Sequence, residues 1–100
     1  MGKQKLTVQK ILKEIENQKE NIKKFGVIKI GLFGSFIKGK EHKKSDIDIL
    51  VTFDEETFDN YSELFLLLQR MFRRKIDIVV EEGLIPELNY VKKEAKYVRL

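Results

Sequence analysis

The chain has 100 residues, of which 42% are hydrophobic and 36% charged, with a formal net charge of +4. That balance excludes a disordered chain and predicts one domain around one core. No apolar run approaches the ~20 residues of a membrane span, and the start MGKQKLTVQK lacks the apolar stretch of a signal peptide, so an intracellular, cytoplasmic domain is expected. The absence of cysteine excludes disulfides and thiolate metal sites, and the single histidine, His42, excludes any site that needs two. Chemistry here must come from carboxylates, hydroxyls, backbone and basic side chains.

Thr7 can cap a first helix, with Val8, Ile11, Leu12, Ile15 and Ile22 on one face and Phe25-Gly26 at its end. Val27 to Phe33 reads as a strand rich in β-branched residues. Gly34-Ser35 interrupts it, and Phe36 to Lys38 suffice only for a short helical turn before Gly39. Lys40 to Lys44 lacks periodicity and reads as a loop in which His42 is a solvated residue. Ile47 to Phe53 is a second strand, followed by an acidic connection from Asp54 to Asp59. Tyr61, Leu64, Phe65, Leu68 and Phe72 mark a long helix capped by Asp59 or Asn60. That stripe is core first, and its excess width, with Leu67 and Met71 off the main line, leaves room for a partner surface.

Arg73-Arg74 turns the chain into a third strand, Lys75 to Val80. Gly83 breaks it, and Pro86 opens a last helix through about Ala95. Tyr97 to Leu100 forms a short strand or a docked tail. Strands joined through a helix favour a parallel pair, and the two joined by a loop an antiparallel one. The fold class is therefore α/β (α+β), a small mixed sheet with packed helices.

Charge is unevenly spread. Residues 1–25 and 26–45 each carry +4, residues 46–69 hold seven acids and no base, and residues 70–100 carry +3. Lys and Glu on the first helix read as a solvated face. The acidic block holds Asp46 and Asp48 at the start of the second strand. Strand alternation projects both from one face, while Ile47, Ile49 and Val51 point to the other. Two such carboxylates repel and resist ionising unless a cation neutralises them. Oxygen-only ligands suit Mg²⁺, and Asp77 joins them if the third strand pairs beside the second. Three carboxylates can bridge two metals at the ~3.5–4 Å spacing used for in-line phosphoryl displacement. Gly34 permits close backbone approach to a phosphate, and the Ser35 hydroxyl can donate to it. Lys38, Lys40, Lys43 and Lys44 supply neutralising charge.

The run GSFIKGKEHKKSDIDILV, Gly34 to Val51, resembles the signature of the minimal nucleotidyltransferases of the DNA polymerase β superfamily: Gly-Ser, ten residues, then Asp-x-Asp. Asp77 in KIDIVV matches the family's third acidic residue, and the resemblance spans nearly the whole chain. It implies the polymerase β-like nucleotidyltransferase fold, two Mg²⁺ ions and a nucleoside triphosphate. It implies metal binding and catalysis by Asp46, Asp48 and Asp77, with Asp77 as base toward the acceptor hydroxyl. It implies nucleotide contacts from Gly34, Ser35, Lys38 and Ser45. Lys38 stands where the family often has Arg, and gives up the two-pronged grip on phosphate.

Many stand-alone members of this size are antitoxins paired with a helical ribonuclease toxin of the HEPN family, and some silence it by adding AMP to a tyrosine. The resemblance therefore implies AMP transfer from ATP to a tyrosine hydroxyl of such a toxin, with no membrane and no direct nucleic-acid partner. Two other functions stay open at this point: an antitoxin that neutralises by binding only, and a nucleotidyltransferase acting on an antibiotic hydroxyl. A basic RNA-binding module leaves the three carboxylates unexplained.

Overall fold

A computed structural model of the chain describes residues 6–39 and 46–100. The expected loop Lys40 to Lys44 and Ser45 lie outside the described residues. Helix α1 (Val8–Asn17) starts where expected, with the Thr7 hydroxyl accepting from the Lys10 N–H at 3.2 Å. It does not run through to Phe25. The chain leaves helical geometry at Gln18 (φ −103°, ψ 13°) and resumes as α2 (Lys19–Lys24). Ile22 still reaches the core with Ile11 and Ile15, so the apolar spacing survives the break that it concealed.

Strand β1 (Val27–Phe33) and strand β2 (Ile47–Phe53) pair antiparallel, with Leu32 opposite Ile49 and Phe33 opposite Asp48. Helix α3 (Phe58–Phe72) begins earlier than its apolar stripe predicts. Its cap is Thr57, whose hydroxyl accepts from the Asn60 N–H at 3.0 Å, so Asp59 and Asn60 lie inside the first turn and neither caps it. Phe58, 83% exposed, adds nothing to the buried face and hides this start. Strand β3 (Ile76–Val80) runs parallel to β2, as a strand–helix–strand crossover dictates. The expected helix from Pro86 to Ala95 is instead two short pieces. Pro86–Leu88 is a 3-10 turn, and α4 (Tyr90–Glu94) follows after Asn89; a further 3-10 turn, Glu81–Gly83, precedes both. Strand β4 (Lys96–Val98) closes the sheet beside β1, in the order β3-β2-β1-β4.

The core lies on one face of this sheet. Ile30, Leu32, Ile47, Ile49, Val51, Ile76 and Ile78 meet Ile11, Ile15, Ile22, Leu64 and Leu68 from α1, α2 and α3. Fully burying one such side chain stabilises by about 2 kcal/mol. Leu67 and Met71, partly buried, also pack against this core, and Leu66 is the exposed leucine of α3. No helix among the described residues is long and apolar enough to cross a membrane.

The opposite face carries the rows that alternation dictates. Phe33, Asp48 and Asp77 form one, and Gly31, Leu50, Val79 and Tyr97 the next. The chain beyond β3 folds back across it. Glu81 accepts hydrogen bonds from the Thr52 hydroxyl at 2.5 Å and the Tyr97 hydroxyl at 3.2 Å, and α4 buries Val91. Gly31 is required there, because a Cβ would sit 2.8 Å from the Tyr97 ring. This returning segment leaves the Asp48–Asp77 end of the face accessible: Asp48 is half-buried and Asp77 exposed.

Candidate active site

The end of β1 shapes the site. Gly34 adopts φ +77°, which favours glycine, and a side chain there would land on the Asp48 carboxylate. The chain then turns back on itself, with the Lys38 N–H bonded to the Gly34 carbonyl at 3.0 Å. Phe36 anchors the turn in the core at 2% exposure. The Ser35 backbone N–H donates to the Asp48 carboxylate. The first free amide of the turn is therefore spent on orienting a carboxylate.

Asp48 and Asp77 are direct register partners on β2 and β3. Burial pushes the Asp48 carboxyl above its ordinary pKa, and the Asp77 charge raises it further; the Ser35 amide works against them and Asp46 adds a smaller push upward. Asp46 precedes β2, and its Oδ2 lies 3.8 Å from the Lys75 ammonium. No three carboxylates among the described residues stand close enough together to cage a metal as they are. The donor set nonetheless suits Mg²⁺: hard oxygen ligands only, on rigid strands, with a central carboxylate whose negative charge is penalised until a cation arrives. Asp46, Asp48 and Asp77 are the residues that would hold such an ion.

Lys38 is not wholly free. Its ammonium lies 3.9 Å from Glu94 and 5.8 Å from the centre of the Tyr90 ring, both on α4. It remains half-exposed, so an arriving phosphate competes with one exposed carboxylate for it. Ser45, read from the sequence as a nucleotide contact, lies outside the described residues.

Two features carried no sequence signal. The first is the Lys75–Asp46 pair, which depends on the register that places Ile76 beside Ile47. The second is the guanidinium of Arg74, 5.5 Å from the ring centre of Phe36, which joins the corner after α3 to the turn after Gly34-Ser35. Only the fold brings these segments together.

Residues 8–99 match the family described as Nucleotidyltransferase domain. The protein adenylyltransferase MntA of Thermococcus cleftensis is 37% identical over 79 residues, which cover 73% of this chain and 80% of that protein. A solved chain assigned as a minimal nucleotidyltransferase superposes with a TM-score of 0.79 at 29% identity, covering 94% of this chain and 98% of its own. A chain from a toxin–antitoxin complex solved with AMP-PNP superposes with a TM-score of 0.64 at 26% identity, covering 82% of this chain and 70% of its own.

Proposed function

This chain belongs to the nucleotidyltransferase domain family, and we propose that it is a protein adenylyltransferase serving as the antitoxin of a toxin–antitoxin pair. Its substrates are ATP and a tyrosine hydroxyl on a helical toxin of the HEPN type, both met in the cytoplasm. The observation that carries the reading is the placement of Asp48 opposite Asp77, beside the Gly34-Ser35 turn, in a chain similar to a named protein adenylyltransferase. Likeness to a toxin–antitoxin complex solved with a nucleotide supports both partners.

The residues divide the work as follows. The turn from Gly34 to Lys38 receives the triphosphate: Gly34 lets it approach the backbone, the Ser35 hydroxyl donates to a phosphate oxygen, and Lys38 moves from Glu94 to neutralise it. Ser45 is assigned to the same nucleotide. Asp46, Asp48 and Asp77 would hold two Mg²⁺ ions, which when bound supply charge neutralisation on the phosphates. Asp77, exposed on β3, takes the proton of the tyrosine hydroxyl. The tyrosine oxygen bonds to the α-phosphorus, the bond from that phosphorus to the β-bridging oxygen breaks, and pyrophosphate leaves toward the Gly34-Ser35 turn.

The test is the intact mass of the co-expressed toxin after incubation with ATP, Mg²⁺ and this chain. A gain of whole AMP units, localised to tyrosine and absent with Asp77→Asn, supports the reading. Neutralised toxin of unchanged mass would replace it with inhibition by contact.

A further inference from the structure

Beside the carboxylates lies a cluster of positive charge that nucleotide transfer has not used. Arg70, Arg73, Arg74 and Lys75 fall within six residues at the corner between α3 and β3, with no acid among them. Arg70 and Arg73 are exposed, and neither has an ion-pair partner among the described residues. Arg70 has an ordinary structural role, since it lies in the last turn of α3 and complements the helix dipole. Arg73 does not. It ends the helix in left-handed geometry (φ 50°, ψ 41°), the position where glycine is the relaxed choice. It is the one non-glycine residue with positive φ among those described, and such strain gathers where function requires a particular side chain.

The corner is tied to the site at two points, Lys75 to Asp46 at 3.8 Å and Arg74 over the ring of Phe36. In-line displacement fixes which reactant it faces, because attacking and leaving oxygens stand on opposite sides of the phosphorus. The leaving pyrophosphate belongs to the Gly34-Ser35 turn, at the end of β1. Across the Asp48 position from β1 stands β3, the edge strand, bearing exposed Asp77. The acceptor therefore arrives over β3, whose start follows directly on the corner that carries Arg73 and Lys75. We infer that this corner docks the acceptor protein through acidic residues flanking the accepting hydroxyl. The inference rests on the proposed transfer for its direction of approach, and it adds the chemical character of the acceptor.

The experiment measures binding and transfer separately, using a fluorescently tagged glutamate–tyrosine copolymer and a lysine–tyrosine copolymer as probes on the full chain. The parent binds the acidic copolymer in preference, and the double substitution Arg70→Glu with Arg73→Glu weakens that binding about tenfold or more. The milder pair Arg70→Gln with Arg73→Gln weakens it in the same direction, covering the case in which charge reversal disturbs the fold. Lys13→Glu with Lys24→Glu, an equal change in net charge on α1 and α2, leaves the binding within about twofold. Equal loss in that control would overturn the inference, reducing it to general attraction by a basic protein. So would equal binding of both copolymers, or a corner that holds a single-stranded RNA oligonucleotide more tightly than the acidic copolymer. Label from α-labelled ATP is read in parallel with the cognate toxin as acceptor. Corner-dependent binding of the copolymer, with no label on the cognate toxin incubated in parallel, contradicts the transfer reading alone and leaves the docking inference standing.

Discussion

Asp48 and Asp77 stand opposite one another on parallel strands β2 and β3, and the charge of Asp77 helps hold the Asp48 carboxyl above its ordinary pKa. An arrangement that penalises its own ionisation is costly for a fold and useful to a cation site. The relationship has consequences for stability as well as for activity.

The first concerns pH. Because the folded Asp48 binds its proton more tightly than the unfolded chain does, its stabilising contribution is fully present below pH 3.8 and is lost as pH rises through the raised value. In chelator at pH 7, Asp48→Asn should therefore melt higher than the parent by roughly 2–6 °C, the gap closing in acid. Asparagine keeps an oxygen for the Ser35 amide. Mg²⁺ should raise the melting temperature of the parent and not that of Asp48→Asn. Melting curves with and without Mg²⁺ check both points.

Gly34 and Gly39 make a matched pair. Both have positive φ, but a Cβ on Gly34 meets the Asp48 carboxylate whereas one on Gly39 meets nothing within 4 Å among the described residues. Each alanine substitution should cost about 1–2 kcal/mol through the backbone. Only Gly34→Ala should also lower kcat/KM for ATP, by more than about tenfold, because it displaces the carboxylate. Denaturant titration beside steady-state kinetics separates the two effects.

Glu81 staples the returning segment to the sheet. Its side chain is 13% exposed, accepts from Thr52 and Tyr97, and lies 3.6 Å from the Lys29 ammonium. The Thr52 hydroxyl above all, with help from Lys29 and Tyr97, holds its carboxyl below the usual value, against the opposing effect of burial. That contribution is present above pH 4.5 and lost as pH falls through the lowered value. Glu81→Gln should cost about 1 kcal/mol at pH 7 and progressively less in acid, as urea unfolding at several pH values would show. Burial and the facing Glu81 carboxylate push the Tyr97 phenol up to about 12. The same substitution should bring its ultraviolet titration down toward 10.

Lys38 is held by one exposed carboxylate and one exposed ring. Lys38→Ala should raise KM for ATP roughly three- to tenfold while leaving the melting temperature within about 2 °C. Glu94→Gln should act in the opposite direction on KM, because it frees the ammonium for phosphate. Initial rates over a range of ATP concentrations decide this.

The strands were legible in the sequence because their signals are local. VIKIGLF and IDILVTF are β-branched runs, and a helix between the second and third strands forces them parallel. Strand alternation then accounts for the shared face of Asp48 and Asp77. The helix ends were less legible. Gln18 breaks α1 from α2 without glycine or proline, and Ile22 keeps the apolar period across it. Thr57 caps α3 ahead of an exposed Phe58, where no apolar periodicity marks the start. Pro86 opens only a 3-10 turn, because Glu87, Leu88, Asn89 and Tyr90 are all exposed and no buried face sustains a longer helix.

Within the site, the Gly34-Ser35 and Asp46-x-Asp48 spacing could be read directly. The hold of Glu94 and Tyr90 on Lys38, and of Lys75 on Asp46, could not. These pairs join segments separated by dozens of residues, and neither member carries a pattern that announces the other. The Glu81 staple escaped for the same reason, since Thr52 is 29 residues away in the chain.

In the proposed function, the Asp48–Asp77 pair silences a toxin by moving AMP onto it. The most direct measurement is the ribonuclease activity of the cognate toxin after incubation with ATP, Mg²⁺ and either the parent chain or Asp48→Asn, both shown by titration to bind the toxin equally. The account predicts that the parent abolishes the activity only when ATP is present, and that Asp48→Asn leaves it intact under every condition. Toxin restrained equally by both chains, with or without ATP, would contradict it.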